Sequence, residues 1–240
     1  MPELRIGTSG WSYKHWLGIF YPKELPAAGQ LRFYSEHFDS VETNYTFYQL
    51  PPRARFEAWR EQTPPHFLFA VKGSQYLTHM KKLRDPEEPL ARLEHAAGGL
   101  GPKLGPILFQ FPRRFERDLE RLDGFLRALG RYRGQRFAFE FRHRSWLEEP
   151  VYERLRAHDA ALCLPVGWGI PLDARLTASW TYVRFHGGEP GPGFSDAELR
   201  PWARRLGEYL AQGADVYGYF NNDPEGAAVR DGLRLRALLA

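Results

Sequence analysis

The sequence predicts an α/β fold, a single (β/α)8 TIM barrel taken as one domain over residues 1–240. Three observations predict it. Short runs rich in Val, Ile, Phe and Tyr alternate with amphipathic helical stretches along the whole chain. The length lies near the roughly 250 residues such a barrel needs. The polar residues of the strand-like runs come late and share one face, which in a barrel gathers them at the carboxyl mouth. A doubly wound sheet would carry fewer strands and a glycine-rich first turn, and Gly7-Thr8-Ser9-Gly10 lacks the G-x-G-x-x-G spacing.

The elements follow in order. The first strand is expected at Leu4–Thr8, before a helix over Gly29–Phe38 with Leu31, Tyr34 and Phe38 at helical spacing. The second strand is Ser40–Asn44, and Pro51-Pro52 opens a helix over Arg53–Gln62 that carries Phe56 and Trp59. The third strand, Phe67–Lys72, precedes a helix over Pro89–Leu100 with Leu90, Leu93 and Ala97 on one face. The fourth, Ile107–Phe111, precedes Arg117–Leu129, whose Leu119, Leu122, Leu126 and Leu129 form an apolar stripe. The fifth, Phe137–Arg142, leads to a helix over Val151–His158, and the sixth is Ala161–Leu164. The seventh, Tyr182–His186, precedes Ser195–Leu210, which opens on a Ser195-x-x-Glu198 capping box. The eighth, Val216–Phe220, is followed by a helix over Glu225–Leu239. The whole reads as eight strands alternating with seven named helices, which fits a (β/α)8 barrel.

Side chains alternate faces along a strand. Phe137, Phe139 and Phe141 suit the layer under the helices, which turns Ala138, Glu140 and Arg142 inward. The same count sends Lys72, Gln110, Arg184 and His186 inward, and places Glu42 and Asn44 on one face. The first strand and its turn add Thr8, Ser9, Trp11 and Tyr13, and the eighth adds Asn221 and Asn222. Ionisable groups cost several kcal/mol each to bury unpaired, so a barrel built for stability alone would use Val, Ile and Leu there. The bland alternative is a structural network, with Glu140 pairing Arg142 or Arg184, and Glu42 pairing Lys72.

Composition narrows the chemistry. A formal net charge of +4 and a pI of about 9.2 permit an anionic ligand but supply no long phosphate track. One cysteine, Cys163, excludes a disulfide framework and a Cys-built zinc site. No apolar run approaches the roughly 18 residues of a membrane span. The start, Met1-Pro2-Glu3-Leu4-Arg5-Ile6, runs straight into a strand without a signal-peptide core, so a cytoplasmic location is expected. Nothing in the sequence sets the oligomeric state.

Several readings of the mouth compete. His79, His143 and His186, with Glu42 and Glu140, could hold a divalent metal, but no H-x-H or H-E-x-x-H spacing supports it. Cations at the same place oppose a dense metal cluster, and no metal ligand is assigned. Lys72, Arg142 and Arg184 instead make a site for a phosphate or carboxylate. Glu140, His186 and Glu42 are the acid–base candidates, with Thr8, Ser9, Trp11, Tyr13, Asn44, Lys72, Gln110, Arg142, Arg184 and Asn222 as the substrate-binding set. Lys72 would form a Schiff base only if desolvated and deprotonated, and pairing with Glu42 is its simpler role.

These residues also carry a family resemblance. Ile6–Tyr13, Val41–Tyr48, Lys103–Pro112, Phe139-Glu140-Phe141-Arg142-His143-x-Ser145-Trp146, Tyr182–Gly187 and Tyr219–Asp223 together resemble the family called domain of unknown function 72, or YecE-like, in order and across nearly the whole chain. The resemblance implies a TIM barrel, similar to a group that includes sugar isomerases and a metal-dependent apurinic endonuclease. It implies no assigned activity. Such proteins often place an acidic residue after the sixth strand, where Leu164-Pro165-Val166-Gly167-Trp168 has none.

The expected function is therefore binding, and turnover, of a small phosphorylated or carboxylated, sugar-like substrate at the mouth. The rival is a nucleic-acid-binding or nuclease-like protein, favoured by the basic pI and by aromatic residues such as Trp146 and Trp168 in the loops.

Overall fold

The computed structural model describes residues 1–189 and 191–240. Eight parallel strands form one sheet: β1 (Leu4–Thr8), β2 (Ser40–Thr43), β3 (Leu68–Lys72), β4 (Leu104–Gln110), β5 (Phe137–Glu140), β6 (Ala161–Val166), β7 (Trp180–Phe185) and β8 (Asp215–Phe220). Their order is β1-β8-β7-β6-β5-β4-β3-β2, so the sheet curls into a barrel. Around it lie α1 (Ala27–Ser35), α2 (Tyr45–Tyr48), α3 (Arg53–Glu61), α4 (Glu87–Ala97), α5 (Leu119–Leu129), α6 (Glu149–Ala157), α7 (Asp196–Ala211) and α8 (Ala227–Leu239). The capping box of α7 is present in both halves, between Ser195 and Glu198.

All eight strands fall where the sequence expects them, with ends shifted by a few residues. The α-helix count differs by one: a single-turn helix, α2, is added after β2, while the β6–β7 connection, where no helix is expected, contains none. Residues 167–179 lack an apolar stripe at helical spacing, and Gly167, Trp168 and Gly169 take positive φ in succession, which stops a helix at once.

The seam lies between β1 and β2. A single bridge pairs Ser9 with Glu42, where the Gly10 N–H donates to the Glu42 carbonyl at 2.7 Å. Below it the Tyr34 hydroxyl, reaching in from α1, replaces the ladder. It accepts from the Thr8 N–H at 2.9 Å and donates to the Ser40 carbonyl at 3.1 Å. A side chain at Gly7 would meet the Ser40 carbonyl oxygen at 2.1 Å, so only glycine lets the two strands come this close.

Strand alternation sorts the interior into two layers. Phe67, Phe69, Val71, Ile107, Phe109, Phe137, Phe139, Val183 and Phe185 pack between sheet and helices. Inside the barrel, Ala70, Leu108, Ala138, Ala161 and Cys163 leave room for Trp180, Tyr182, Tyr217 and Tyr219. This plug fills the lower barrel and forms the floor on which the charged residues sit.

Candidate functional site

Above the plug, β2, β5 and β7 each raise one charged side chain from the inward register. Glu42, Glu140 and Arg184 are all fully buried. Arg184 lies between the two acids. Its Nε and Nη2 donate to Glu42 Oε2 and Oε1 at 3.0 and 2.8 Å, and its Nη1 donates to Glu140 Oε2 at 2.7 Å. Tyr182, two residues earlier on the same face of β7, donates to Glu42 Oε2 at 2.7 Å, and Ser9 donates to Oε1 at 2.5 Å. Arg142 closes the other side, with Nε donating to Glu140 Oε1 at 2.6 Å. Two carboxylates and two guanidiniums thus form an alternating chain that cancels its own charge, as buried ions must.

Burial alone would raise the Glu140 carboxyl, but Arg184 and Arg142, with His186 and Lys72 behind them, hold it well below the usual carboxylate range. Glu140 therefore stays ionised and has no proton to give near neutral pH.

Lys72 stands apart from this chain. It ends β3, is 7% exposed, and its amine lies 4.1 Å from the centroid of the Phe47 ring. Among the described residues no oxygen accepts a hydrogen bond from it, and neither acid pairs with it. Burial, then the charge of Arg184, lower its pKa from 10.5 to about 7 against the opposing pull of Glu42 and Glu140.

His186 follows β7 and is fully buried. Asn44 Nδ2 donates to Asn221 Oδ1 at 3.1 Å, which turns the Asn221 amide nitrogen toward His186 Nδ1 at 3.2 Å. Nδ1 is then the acceptor and Nε2 carries the hydrogen. Among the described residues Nε2 has no hydrogen-bond partner, and Glu140 Oε1, at 3.8 Å, is beyond hydrogen-bond reach. Burial lowers this imidazole to about 3, so it is a neutral N–H donor. The exposed Trp168 ring covers it, with centroids 5.0 Å apart.

His79 joins the mouth from a one-turn π-helical segment, Tyr76–Met80, after β3. Its Nδ1 meets Thr78 Oγ1 at 2.9 Å and its Nε2 lies 3.4 Å from Gln110 Nε2. Burial, Lys72 and Arg142 lower it to about 4. The segment has no periodicity from which to infer an inward direction, although π-turns concentrate at functional sites.

The other expected residues separate. Ser9, Asn44, Gln110 and Arg142 reach the mouth. Thr8 does not: alternation turns Ser9 inward and Thr8 outward, where its hydroxyl bonds Tyr34 and the Gly10 carbonyl. Asn222 is a second correction. Asn221 is the inward residue, and Asn222 donates to the Pro192 carbonyl and to Asp231 of α8. Trp11 packs edge-on against Trp59, and Tyr13 donates to the Ser9 carbonyl at 2.6 Å. Both line a neighbouring groove of about 1150 Å3, shared with Asn44, Tyr45, Tyr48 and Arg55. His143 caps a short turn through Ser145 and stays outside the cluster. Trp146 is fully buried against Phe141, not in a loop cage.

Comparison with known proteins places the chain. Residues 5–240 match the family described as "Protein of unknown function DUF72". The chain belongs to this family. The UPF0759 protein YunF of Bacillus subtilis is 31% identical over 270 aligned positions, covering 98% of this chain and 94% of YunF. The UPF0759 protein YecE of Escherichia coli is 31% identical over 127 positions, covering 52% of this chain and 44% of YecE. Among solved structures, a DUF72 family protein from Thermotoga maritima superposes with a TM-score of 0.85 at 29% identity, covering 99% of both chains. A xylose isomerase-like TIM barrel protein from Mycobacterium smegmatis, in complex with magnesium, gives a TM-score of 0.54 at 14% identity, with 92% of each chain covered. That likeness concerns the barrel alone.

The mouth of this DUF72 protein does not fit a divalent cation of that kind. Among the described residues no three His, Cys, Asp or Glu side chains gather to hold a metal. The Arg184 guanidinium fills the space between the two strand-end acids and engages oxygens of both. At the inward position of β6 nearest the mouth, opposite Arg184, stands Pro165, which offers no carboxylate.

Proposed function

We propose that this DUF72 barrel binds a small phosphorylated or carboxylated metabolite at its mouth and is an enzyme acting on it through Lys72. The observation that carries the reading is the charge balance. The acids and guanidiniums cancel, so a protonated Lys72 adds one uncompensated positive charge in a buried place. An anion supplies the missing partner. Arg142 has its Nε committed to Glu140 and presents the rest of its fork. The unpaired His186 Nε2–H and the Gln110 amide supply orientation. Of the mouth groups whose pKa is shifted, Lys72 is the one that changes protonation near neutral pH, so proton transfer falls to it, not to Glu140 or His186. Arg184 acts as the fixed centre of the lattice. The sugar-like character of the substrate and a cytoplasmic location remain part of this reading. No helix among the described residues is long and apolar enough to cross a membrane.

Titration with inorganic phosphate and with acetate, followed by calorimetry, tests it. Binding to the protonated amine takes up a proton, so affinity falls roughly tenfold per pH unit above the Lys72 pKa. Lys72→Met abolishes the binding. No heat and no thermal stabilisation at millimolar anion would remove the proposal.

The groove beside the mouth favours a second reading, nucleic-acid binding. Tyr45 and Tyr48 are exposed, and Arg55 lies on the same wall. Tight binding of single-stranded DNA with a steep salt slope would favour it over the metabolite.

A further inference from the structure

The proposal above makes Lys72 an electrostatic partner and proton carrier. Its surroundings allow a further chemical role. The chain has six lysines. Lys14 and Lys23 are exposed. Lys81 pairs with Asp85 at 3.2 Å, and Lys82 lies over the Phe115 ring. Lys103 is buried, but its amine donates to two carbonyls and a hydroxyl. Lys72 is thus the buried lysine whose amine has no oxygen acceptor among the described residues.

We propose that Lys72 is a carbonyl-condensing nucleophile, forming an imine with the aldehyde or ketone carbon of a small molecule whose carboxylate or phosphate is held by Arg142. This rests on the anion-binding reading and names its substrate class. The amine sits at the end of β3, over the face of the Phe47 ring and within the electrostatic reach of Arg142, the cation that would hold the anionic end. Two charged neighbours, Arg184 and Arg142, disfavour the ammonium form, as does burial, while Glu42, Glu140 and the Phe47 ring favour it. The balance leaves a substantial neutral fraction at pH 7, which a nucleophilic amine requires. His79, the nearby titratable group on the following segment, is itself held neutral.

The steps balance without an oxidant or reductant. The Lys72 nitrogen lone pair attacks the carbonyl carbon, the C=O π pair moves to oxygen, and a proton passes from nitrogen to that oxygen, giving a carbinolamine. The nitrogen lone pair then expels the hydroxyl, which leaves as water with one further proton, and the product is a protonated imine. That further proton comes from the medium, and the cationic charge formed at nitrogen lies beside the lattice acids. The His186 Nε2–H, buried and held neutral, can give the carbinolamine oxygen a hydrogen bond but not a proton.

The test is reductive trapping. The full-length protein is incubated at pH 7 with pyruvate, or with dihydroxyacetone phosphate, plus cyanoborohydride, and the modified lysine is located by peptide mass mapping. The expected result is one adduct, on Lys72, formed well ahead of any on Lys14 or Lys23 and suppressed by inorganic phosphate. Lys72→Arg, which keeps a cation but cannot condense, loses the adduct. Mapping of the unaltered protein decides the question even if this variant folds poorly. Adducts confined to the exposed lysines, while phosphate still stabilises the protein, overturn the imine and leave anion binding standing. Absence of both overturns the two together.

Discussion

The two ends of the barrel treat buried charge in opposite ways, and two lysines show it. At the amino end Lys103, 6% exposed, gives its amine to the Arg60 and Thr63 carbonyls at 2.6 Å each and to the Thr63 hydroxyl at 3.1 Å. Around it the cations are matched: Arg5 pairs with Asp39, and Arg136 with Asp215. At the carboxyl end Lys72 is buried to the same degree with no such oxygens among the described residues. Burial lowers the proton affinity of both amines, but only Lys72 comes down to about 7. One end uses its charge to close the fold. The other leaves the His186 N–H buried without a partner among the described residues and gives the Lys72 amine no oxygen acceptor there, and it is at these groups that the proposed anion would bind.

The largest effect expected on this contrast comes from the lattice itself. Arg184→Met leaves Glu42 and Glu140 buried without their shared partner and costs about 3–5 kcal/mol in chemical unfolding. Lys103→Met takes the amine donor from the buried Thr63 carbonyl and the partly buried Arg60 carbonyl and costs about 1–3 kcal/mol, with anion binding unchanged.

Lys72→Met is expected to raise stability at pH 7, because it removes the burial penalty of the amine and no hydrogen bond is lost, yet to abolish anion binding. Its pH dependence has a definite sign. Between about 7 and the ordinary 10.5 the unfolded chain holds a proton on Lys72 that the folded chain does not. Stability of the unaltered protein therefore rises relative to Lys72→Met as pH increases through that window, and below it the burial penalty is fully present. Comparing urea midpoints of the two proteins from pH 6 to pH 10 checks this. The smallest effect is at Tyr48→Ala in the side groove, within about 0.5 kcal/mol and without effect on phosphate binding. A loss of phosphate binding there would move the anion site out of the mouth.

Much of this is legible in the sequence. The strands show in composition, and their period of two assigns Glu42, Glu140, Arg184, Lys72 and Gln110 inward correctly. Parity also contains the errors it was not carried far enough to avoid. Counting one residue beyond β1 and β8 turns Ser9 and Asn221 in, and Thr8 and Asn222 out. Pairing is a different matter. Glu42 reads as a partner for Lys72, but Arg184 offers a planar fork that meets both its oxygens, and Lys72 is left over. Tyr182 shares the inward face of β7 with Arg184 by the same parity, but nothing in its position announces that its hydroxyl donates to Glu42. His79 arrives on an irregular turn, and Trp168 on three successive positive-φ residues. Neither has a period to read.

The most direct test of the account is the titration of Lys72 itself, followed by NMR of protein carrying 13C at the lysine Cε positions. With six lysines the resonances are separable. The account predicts one lysine that titrates with a pKa near 7, disappears in Lys72→Met, and moves upward when phosphate is added. A spectrum in which the resonance lost in Lys72→Met titrates near the ordinary lysine value of about 10.4 would contradict it.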